Sequence, residues 1–318
     1  MPRKSKNKKK GSTRKGGAIS KASLRDISQE TDDGPSLRNW LYQLEEHGQL
    51  RRVKSMVDWD QEIGALARIN LGLGGPGLLF DNIKDYQNAR CTKFFTCGMG
   101  NKTQVCLMAN LPIDTSDKEL VRYFKEVYQK PINPVIVNSG PVKENIVKGR
   151  NINLLDFPVP KWHSLDGGRY LDTYCGVVTR DPESGHTNIG IYRGQVLDRN
   201  KIGKLLIPSQ NWGAHFTKHS NSKEPMPVAV VHGWHDVLPF CAGSPFPKDV
   251  CEWDMIGAIL RQPVELVKCE TIDLEIPATA EVVVEGYIST DPVDFMMEGP
   301  FSEYPGYSGG NPSPKPVL

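Results

Sequence analysis

The sequence has no uninterrupted run of eighteen apolar residues, no CxxC pair and, over its first sixteen positions, no acidic residue. The first absence argues against a membrane-spanning helix, and the first 35 residues, almost without apolar side chains, lack the apolar stretch of a secretory signal. The second leaves Cys91, Cys97, Cys106, Cys175, Cys241, Cys251 and Cys269, an odd number of scattered thiols. They fit reduced, mostly buried cysteines in a cytoplasmic protein better than a disulfide framework. The third marks a tail: MPRKSKNKKKGSTRKG holds eight Lys and Arg. Removing those eight from the 39 basic residues leaves 31 against 37 acids, so the body is mildly acidic and the overall +2 belongs to the tail. A body with a basic deficit argues against a domain that works on nucleic acid. Residues 1 to 35 carry too little apolar surface to offset their ordering entropy, and disorder is expected there. A nuclear-localisation or RNA-contact role for the basic run is the second reading.

At 318 residues the chain has room for about two domains. SLRNWLYQLEEHGQL places Leu37, Trp40, Leu41 and Leu44 on one helical face, with a Ser start and a Gly48 stop. Further helices are expected over residues 61–71, 118–128 and 252–260. The GLGGPG run lacks GK[ST], and a helix precedes it while a strand follows, so a plain loop is favoured over a phosphate cradle. From about residue 136 the pattern changes to short strands broken by turns: DTYCGVVTR, HTNIGIYRGQV, KLLIPS, VAVVHG and TAEVVVEGYI, with DPESG and LDRN as hairpin connections. The expected fold is α+β, with an N-terminal α/β domain over residues 36–135 and a barrel-like β domain over 136–318. The closing run GYSGGNPSPKPVL carries no expected helix or strand, which reads as a tail or as the end of a fragment.

Few patterns carry chemistry outright. His215 and His219 in HFTKH, and His232 and His235 in HGWH, lack the Glu and the third ligand of a zinc protease signature. No cysteine sits in a recognisable catalytic context. Asn188 and Arg193 share a strand candidate, but their odd separation puts them on opposite faces unless a twist or bulge intervenes. Glu298 and Glu303 flank Gly299-Pro300-Phe301, a bend in which glycine allows unusual angles and proline fixes its own. Two carboxylates held close in a partly apolar site cannot both ionise easily, and a nearby Arg would hold one as carboxylate or grip a substrate carboxylate. Residue pattern alone leaves surface glutamates and an acid–base pair equally open.

Three long runs decide more. NINLLDFPVPKWHSLDGGRYLDTYCGVVTRDPESGHTNIGIYRGQV, PVELVKCETIDLEIPATAEVVVEG and EGPFSEYPGY resemble the UbiD family of reversible decarboxylases, which use prenylated FMN. The likeness extends over most of the chain from about Ser36. It implies that residues 136–318 form a split β-barrel flavin-binding domain, incomplete at its C-terminus because chains of the family continue into a further domain that serves dimerisation and finishes the cofactor pocket. It implies a catalytic set of Arg193, Glu298 and Glu303. Asn188, Ile191, Tyr192, Arg193, Gln210 and Ser244 fall at cofactor-binding positions. Asn188, Glu252 and Gln210 fall at positions for a metal, manganese with potassium as the alternative, that ties the cofactor phosphate to the protein. Gln210 departs from the pattern: many relatives place a histidine there, and a glutamine carbonyl is a weaker ligand, so His215 is the candidate substitute. The implied function is non-oxidative, reversible decarboxylation of a small aromatic or α,β-unsaturated acid. The implied partners are a flavin prenyltransferase as cofactor supplier and a second copy of the chain in a homodimer or larger assembly. The rival expectation is a flavin- or phosphate-binding chain that is catalytically incomplete.

Overall fold

The computed structural model describes residues 34–318, so the expected tail lies outside the described residues apart from Gly34 and Pro35. Helix α1 (Leu37–Glu46) buries Trp40, Leu41 and Leu44, the stripe visible in the sequence. Ser36 caps it by accepting the Asn39 N–H at 3.2 Å, and Gly48 at φ 66° turns the chain into β1 (Leu50–Val53). Helix α2 (Glu62–Gly72) leads through the glycine-rich loop to β2 (Gly77–Phe80), which pairs in parallel with β1. Strand β3 (Phe94–Thr96) then pairs antiparallel with β2. A short helix, α3 (Lys102–Met108), adds a capping box between Asn101 and Gln104. Helix α4 (Asp117–Val127) carries a second box between Ser116 and Glu119, and β4 (Val135–Ile136) follows.

The later chain is richer in strands. In order come β5 (Tyr170–Asp172), β6 (Gly176–Arg180), β7 (Thr187–Gly190), β8 (Gly194–Asp198) and β9 (Lys201–Lys204). Helix α5 (Asn211–Ser222), β10 (Met226–His232), α6 (Val237–Ala242) and α7 (Glu252–Leu260) follow. After them come β11 (Glu265–Lys268), β12 (Glu275–Pro277) and β13 (Val282–Ile288). The chain closes with β14 (Met296–Glu298), β15 (Phe301–Ser302), β16 (Ser308–Gly309) and β17 (Ser313–Lys315).

Strands β13, β10, β6 and β7 form a four-stranded sheet, and β5, β8 and β9 a second sheet that continues from it. No pairing closes the strands into a ring among the described residues, so the barrel-like half is split. DPESG connects β6 to β7 and LDRN connects β8 to β9, as the turn residues require. The expectation of an unstructured finish is overturned. β17 pairs with β14, β16 with β15, and Leu318 exchanges two backbone hydrogen bonds with Ile202. The cause is register: backbone donors and acceptors of a polar, proline-rich run find edge partners, which no side-chain periodicity announces. One large core takes in Trp40 of α1, Met108 of α3, Val231 of β10 and Ile256 of α7, so the early helices and the later sheet bury their apolar faces together.

The run TNIGIYRGQV reads as one strand but is two. It leaves the four-stranded sheet at Gly190 and joins the next at Gly194, and Ile191–Arg193 bridge the gap outside either ladder. Both glycines are there for space: a Cβ on Gly190 would lie 2.4 Å from the Tyr192 ring, and one on Gly194 2.1 Å from the Asp172 carboxylate. The break is tied from below by Lys204, fully buried, whose ammonium donates to Asp172 Oδ2 at 2.6 Å and to the Tyr192 carbonyl at 3.2 Å. Burial alone would push the Asp172 carboxyl up, but Lys204 and His232, whose Nε2 lies 3.2 Å from Oδ1, hold it below the ordinary range. Lys204→Met strands a buried carboxylate and should cost about 3–5 kcal/mol, whereas Lys204→Met with Asp172→Leu should recover most of that loss. Urea titrations check this through the midpoint at unchanged slope; an equally unstable double variant would remove the ion pair from the account.

Candidate active site

Arg193, which Gly194 follows at the start of β8, sits at the break with its fork turned to the acids of the EGPFSE run. Its Nε and Nη2 donate to Glu298 Oε1 and Oε2 at 3.0 and 2.9 Å, and its Nη1 donates to Glu303 Oε1 at 2.7 Å. Burial opposes the guanidinium charge, but the two carboxylates more than offset it and hold the group above its ordinary range. The acids differ sharply in surroundings: the Glu298 side chain is 0% exposed and that of Glu303 is 45%. Both carboxylates therefore meet on Arg193 rather than on each other, which replaces the shared-proton picture with one cation between two unlike acids.

The bend that spaces them is built by the backbone. Glu298 ends β14, Gly299 takes φ 92°, the Gly299–Pro300 peptide is cis, and Phe301 begins β15. The loop before β5 clamps it: Gly167 N–H donates to the Pro300 carbonyl at 2.8 Å, and Asp166 accepts the Ser302 N–H at 2.8 Å. Tyr170 and Gln195 complete the surroundings. The Tyr170 hydroxyl lies 3.0 Å from Glu298 Oε1, and Gln195 Oε1 accepts the Gly299 N–H at 2.8 Å. Sequence reasoning missed both, along with Lys204 and Asp172. The available signal was the spacing of Tyr170 and Asp172, which is that of one strand face.

The other expected residues gather at the far end of the break. Asn188, on β7, donates its amide to Glu252 Oε1 at 2.9 Å, and the Ile189 N–H donates to Oε2 at 2.8 Å. Glu252 opens α7, is buried, and has no Lys, Arg or His bonded to it among the described residues. Burial pushes its carboxyl up to about 7, against the pull of the Ile189 and Asn188 hydrogen bonds. Tyr192 donates to Asn188 Oδ1 at 3.1 Å and stacks on Trp212 with ring centroids 4.3 Å apart at 4°. That stack brings in the start of α5, where Gln210 is the N-cap residue. Gln210 makes no side-chain cap hydrogen bond there, and the residue is exposed.

His215 is buried on α5, and its Nδ1 lies 3.0 Å from Thr179 Oγ1; Thr179 is the cross-strand partner of Asn188. Burial lowers His215 to about 4, so its ring is neutral. Ile191 lies under the end of α6, where a Cβ on Gly243 would meet its Cδ1 at 3.6 Å; next along, the Ser244 hydroxyl donates to the Phe240 carbonyl at 2.8 Å. No group of three His, Cys, Asp or Glu able to hold a metal occurs among the described residues. A cavity of about 470 Å³ lined by Leu41, Trp162, Tyr174, His232 and Asp236 includes none of these site residues. GYSGG has the spacing of a serine-hydrolase elbow, but Ser308 lies in β16, enters no helix, and spends its hydroxyl on Ser302 at 3.1 Å.

Residues 41–124 match the 3-octaprenyl-4-hydroxybenzoate carboxy-lyase N-terminal domain, and residues 134–318 match the Rift-related domain of the same family, UbiD. A phenolic acid decarboxylase of Bacillus subtilis is 36% identical over 286 residues, covering 87% of this chain and 59% of its own. The pyrrole-2-carboxylic acid decarboxylase of Pseudomonas aeruginosa is 32% identical, covering 88% and 58%. Among solved structures, the vanillic acid decarboxylase of Sedimentibacter hydroxybenzoicus superposes with a TM-score of 0.83 at 32% identity, covering 89% of this chain and 60% of that one. An evolved dimeric form of HmfF from Pelotomaculum thermopropionicum, in complex with prFMN, does so at 0.80 and 34%, covering 89% and 63%. The chain thus spans about three fifths of the length of these relatives.

The raised Glu252 carboxyl has a thermodynamic consequence. Its folded value lies above the unfolded 4.5, so the native state binds the extra proton between about pH 4.5 and 7, and stability is lost as pH rises through that window. Glu252→Gln should therefore gain up to about 3 kcal/mol on the parent between pH 4.5 and 8, measured as the difference in unfolding free energy. A pH-independent difference would show that burial of this carboxyl is not what matters.

Proposed function

This chain belongs to the UbiD family of carboxy-lyases, and on that premise we propose that it carries out reversible, non-oxidative decarboxylation of an aromatic or α,β-unsaturated carboxylic acid with prenylated FMN. The observation that carries the reading is one guanidinium gripping two carboxylates of unequal exposure. Loss of CO2 leaves a carbanion that water stabilises poorly, and bound prenylated FMN supplies the electron sink. The protein's own task is then a proton at carbon. Glu298 is the acid–base group at that carbon, enclosed so that water does not compete. Glu303, half exposed, exchanges protons with solvent, and Arg193 fixes the orientation of both carboxylates.

The residues present suit the cofactor's anionic end. Asn188 and Glu252 offer oxygen donors to a hard divalent cation, and a buried carboxylate that no Lys, Arg or His neutralises among the described residues is the donor such an ion would satisfy. We assign them to manganese, with potassium as the alternative, and either Gln210 or neutral His215 as the further ligand. A cofactor phosphate held by these residues would need that positive charge, and the start of α5, free of a side-chain cap, would add its partial charge. We assign Ile191, Tyr192 and Ser244 to the cofactor as well, since Ile191 and Tyr192 lie in the chain between Asn188 and Arg193 and Ser244 follows Gly243 beside Ile191. The proposal includes a flavin prenyltransferase as cofactor supplier and a homodimer or larger assembly, supported by the dimeric form of HmfF. No helix among the described residues is long and apolar enough to cross a membrane.

Two measurements test the assignment. After co-expression with a flavin prenyltransferase, the Glu298→Gln variant should keep the flavin absorption spectrum of the parent while CO2 release falls about a hundredfold or more; near-normal release from the flavin-loaded variant would sink the acid–base role. At pH 8, manganese should raise the melting temperature of the apo parent and leave that of Glu252→Gln unmoved. Equal shifts in both proteins would place the ion elsewhere.

A further inference from the structure

Asn188 is held from two sides, and only one of them enters the metal assignment above. Its amide nitrogen donates to Glu252 Oε1 at 2.9 Å, while its oxygen accepts the Tyr192 hydroxyl at 3.1 Å. An asparagine amide has unlike ends, and only its oxygen carries lone pairs that a hard cation can use. The group that faces that oxygen therefore decides how Asn188 meets an ion. Tyr192 has little freedom in this role. Its ring lies flat on the fully buried Trp212, with centroids 4.3 Å apart at 4°. It also crosses Gly190 so closely that a Cβ there would lie 2.4 Å from the ring. The Tyr192 carbonyl is tied in turn to the Lys204 ammonium at 3.2 Å, and that ammonium sits 5.4 Å from the Trp212 ring centroid. Ring, backbone and hydroxyl are thus fixed by separate contacts.

We propose that Tyr192, clamped on Trp212, is a positioning residue of the metal site: its hydroxyl pins the Asn188 oxygen and leaves that oxygen one acceptor site for the cation. The inference rests on the reading of Asn188 and Glu252 as metal ligands. A carbonyl oxygen has two lone-pair sites. The Tyr192 hydroxyl fills one, and no other donor among the described residues bonds Asn188 Oδ1. Because Asn188 Nδ2 is spent on Glu252, both ends of the amide are committed and it does not turn about its terminal bond. A ligand already held in one orientation loses little rotational freedom when the ion arrives, which is how outer hydrogen bonds raise metal affinity. The stack adds a second effect. Trp212 belongs to α5, which holds His215 and begins at the Gln210 N-cap, so either candidate for the further ligand is registered to Asn188 through the Tyr192 ring.

Tyr192→Phe removes the hydroxyl and keeps the stack. Manganese titrations of the full chain, followed by the EPR signal of the free ion, should give a dissociation constant about tenfold higher in Tyr192→Phe than in the parent. In an Asn188→Ala background the same substitution should change it less than about twofold, because the hydroxyl then has no ligand to position. A tyrosine that only supports the fold would lower the unfolding midpoint in urea and leave the dissociation constant unmoved. An unchanged constant in Tyr192→Phe, or an equal loss with and without Asn188, overturns the positioning role. Failure of the metal reading looks different: there Asn188→Ala and Glu252→Gln bind manganese as the parent does, or the parent itself binds none.

Discussion

The buried pair of Lys204 and Asp172 is the contact on which the rest of the site hangs. Two sheets part at Ile191–Arg193, and a strand that leaves one ladder for another exposes backbone groups in the interior, where an unpaired carbonyl is costly. Lys204 answers that need by holding the Tyr192 carbonyl while neutralising Asp172. Its ammonium thereby ties β9, β5 and the break into one unit, and Arg193 stands on that unit with its fork committed. Without the break, Asn188 and Arg193 would face opposite sides of a regular strand, and the two ends of the proposed cofactor site would be on different surfaces.

Electrostatics then distributes the labour. At one end a cation holds two acids, one sealed and one open to solvent. At the other a carboxylate is buried with hydrogen-bond donors but no bonded Lys, Arg or His among the described residues, and burial raises its pKa. Such asymmetry suits the split task proposed above: the first end sets two unlike acids on one guanidinium, and the second offers oxygen donors suited to a cation. The reading of function draws on this contrast more than on any single distance.

Much of this was legible in the sequence, for reasons that differ by element. Helix α1 announced itself through Leu37, Trp40, Leu41 and Leu44 because its partner is a wide apolar core, and the β6–β7 and β8–β9 hairpins through their turn residues. Helix α3 went unread because seven residues complete too few turns to show a period. The interruption of TNIGIYRGQV was hidden because Ile191 and Tyr192 are as strand-prone as their neighbours; the two flanking glycines were the trace it left. Arg193, Glu298 and Glu303 were named from the resemblance, whereas Tyr170, Gln195 and Lys204 were not, because an ordinary tyrosine, glutamine or lysine gains its role only from what folding sets beside it. Gln210 was placed by counting along a hairpin, and the structure puts it at an exposed helix start.

The Arg193–Glu298 contact joins residues 105 positions apart in the chain. Closing so long a span has an entropic cost that short-range turns and helices avoid, and contacts of this kind form after the local ones have condensed. The Arg193–Glu298–Glu303 end of the proposed site depends on that closure. Cofactor capture, as proposed above, thus depends on a contact between distant parts of the chain.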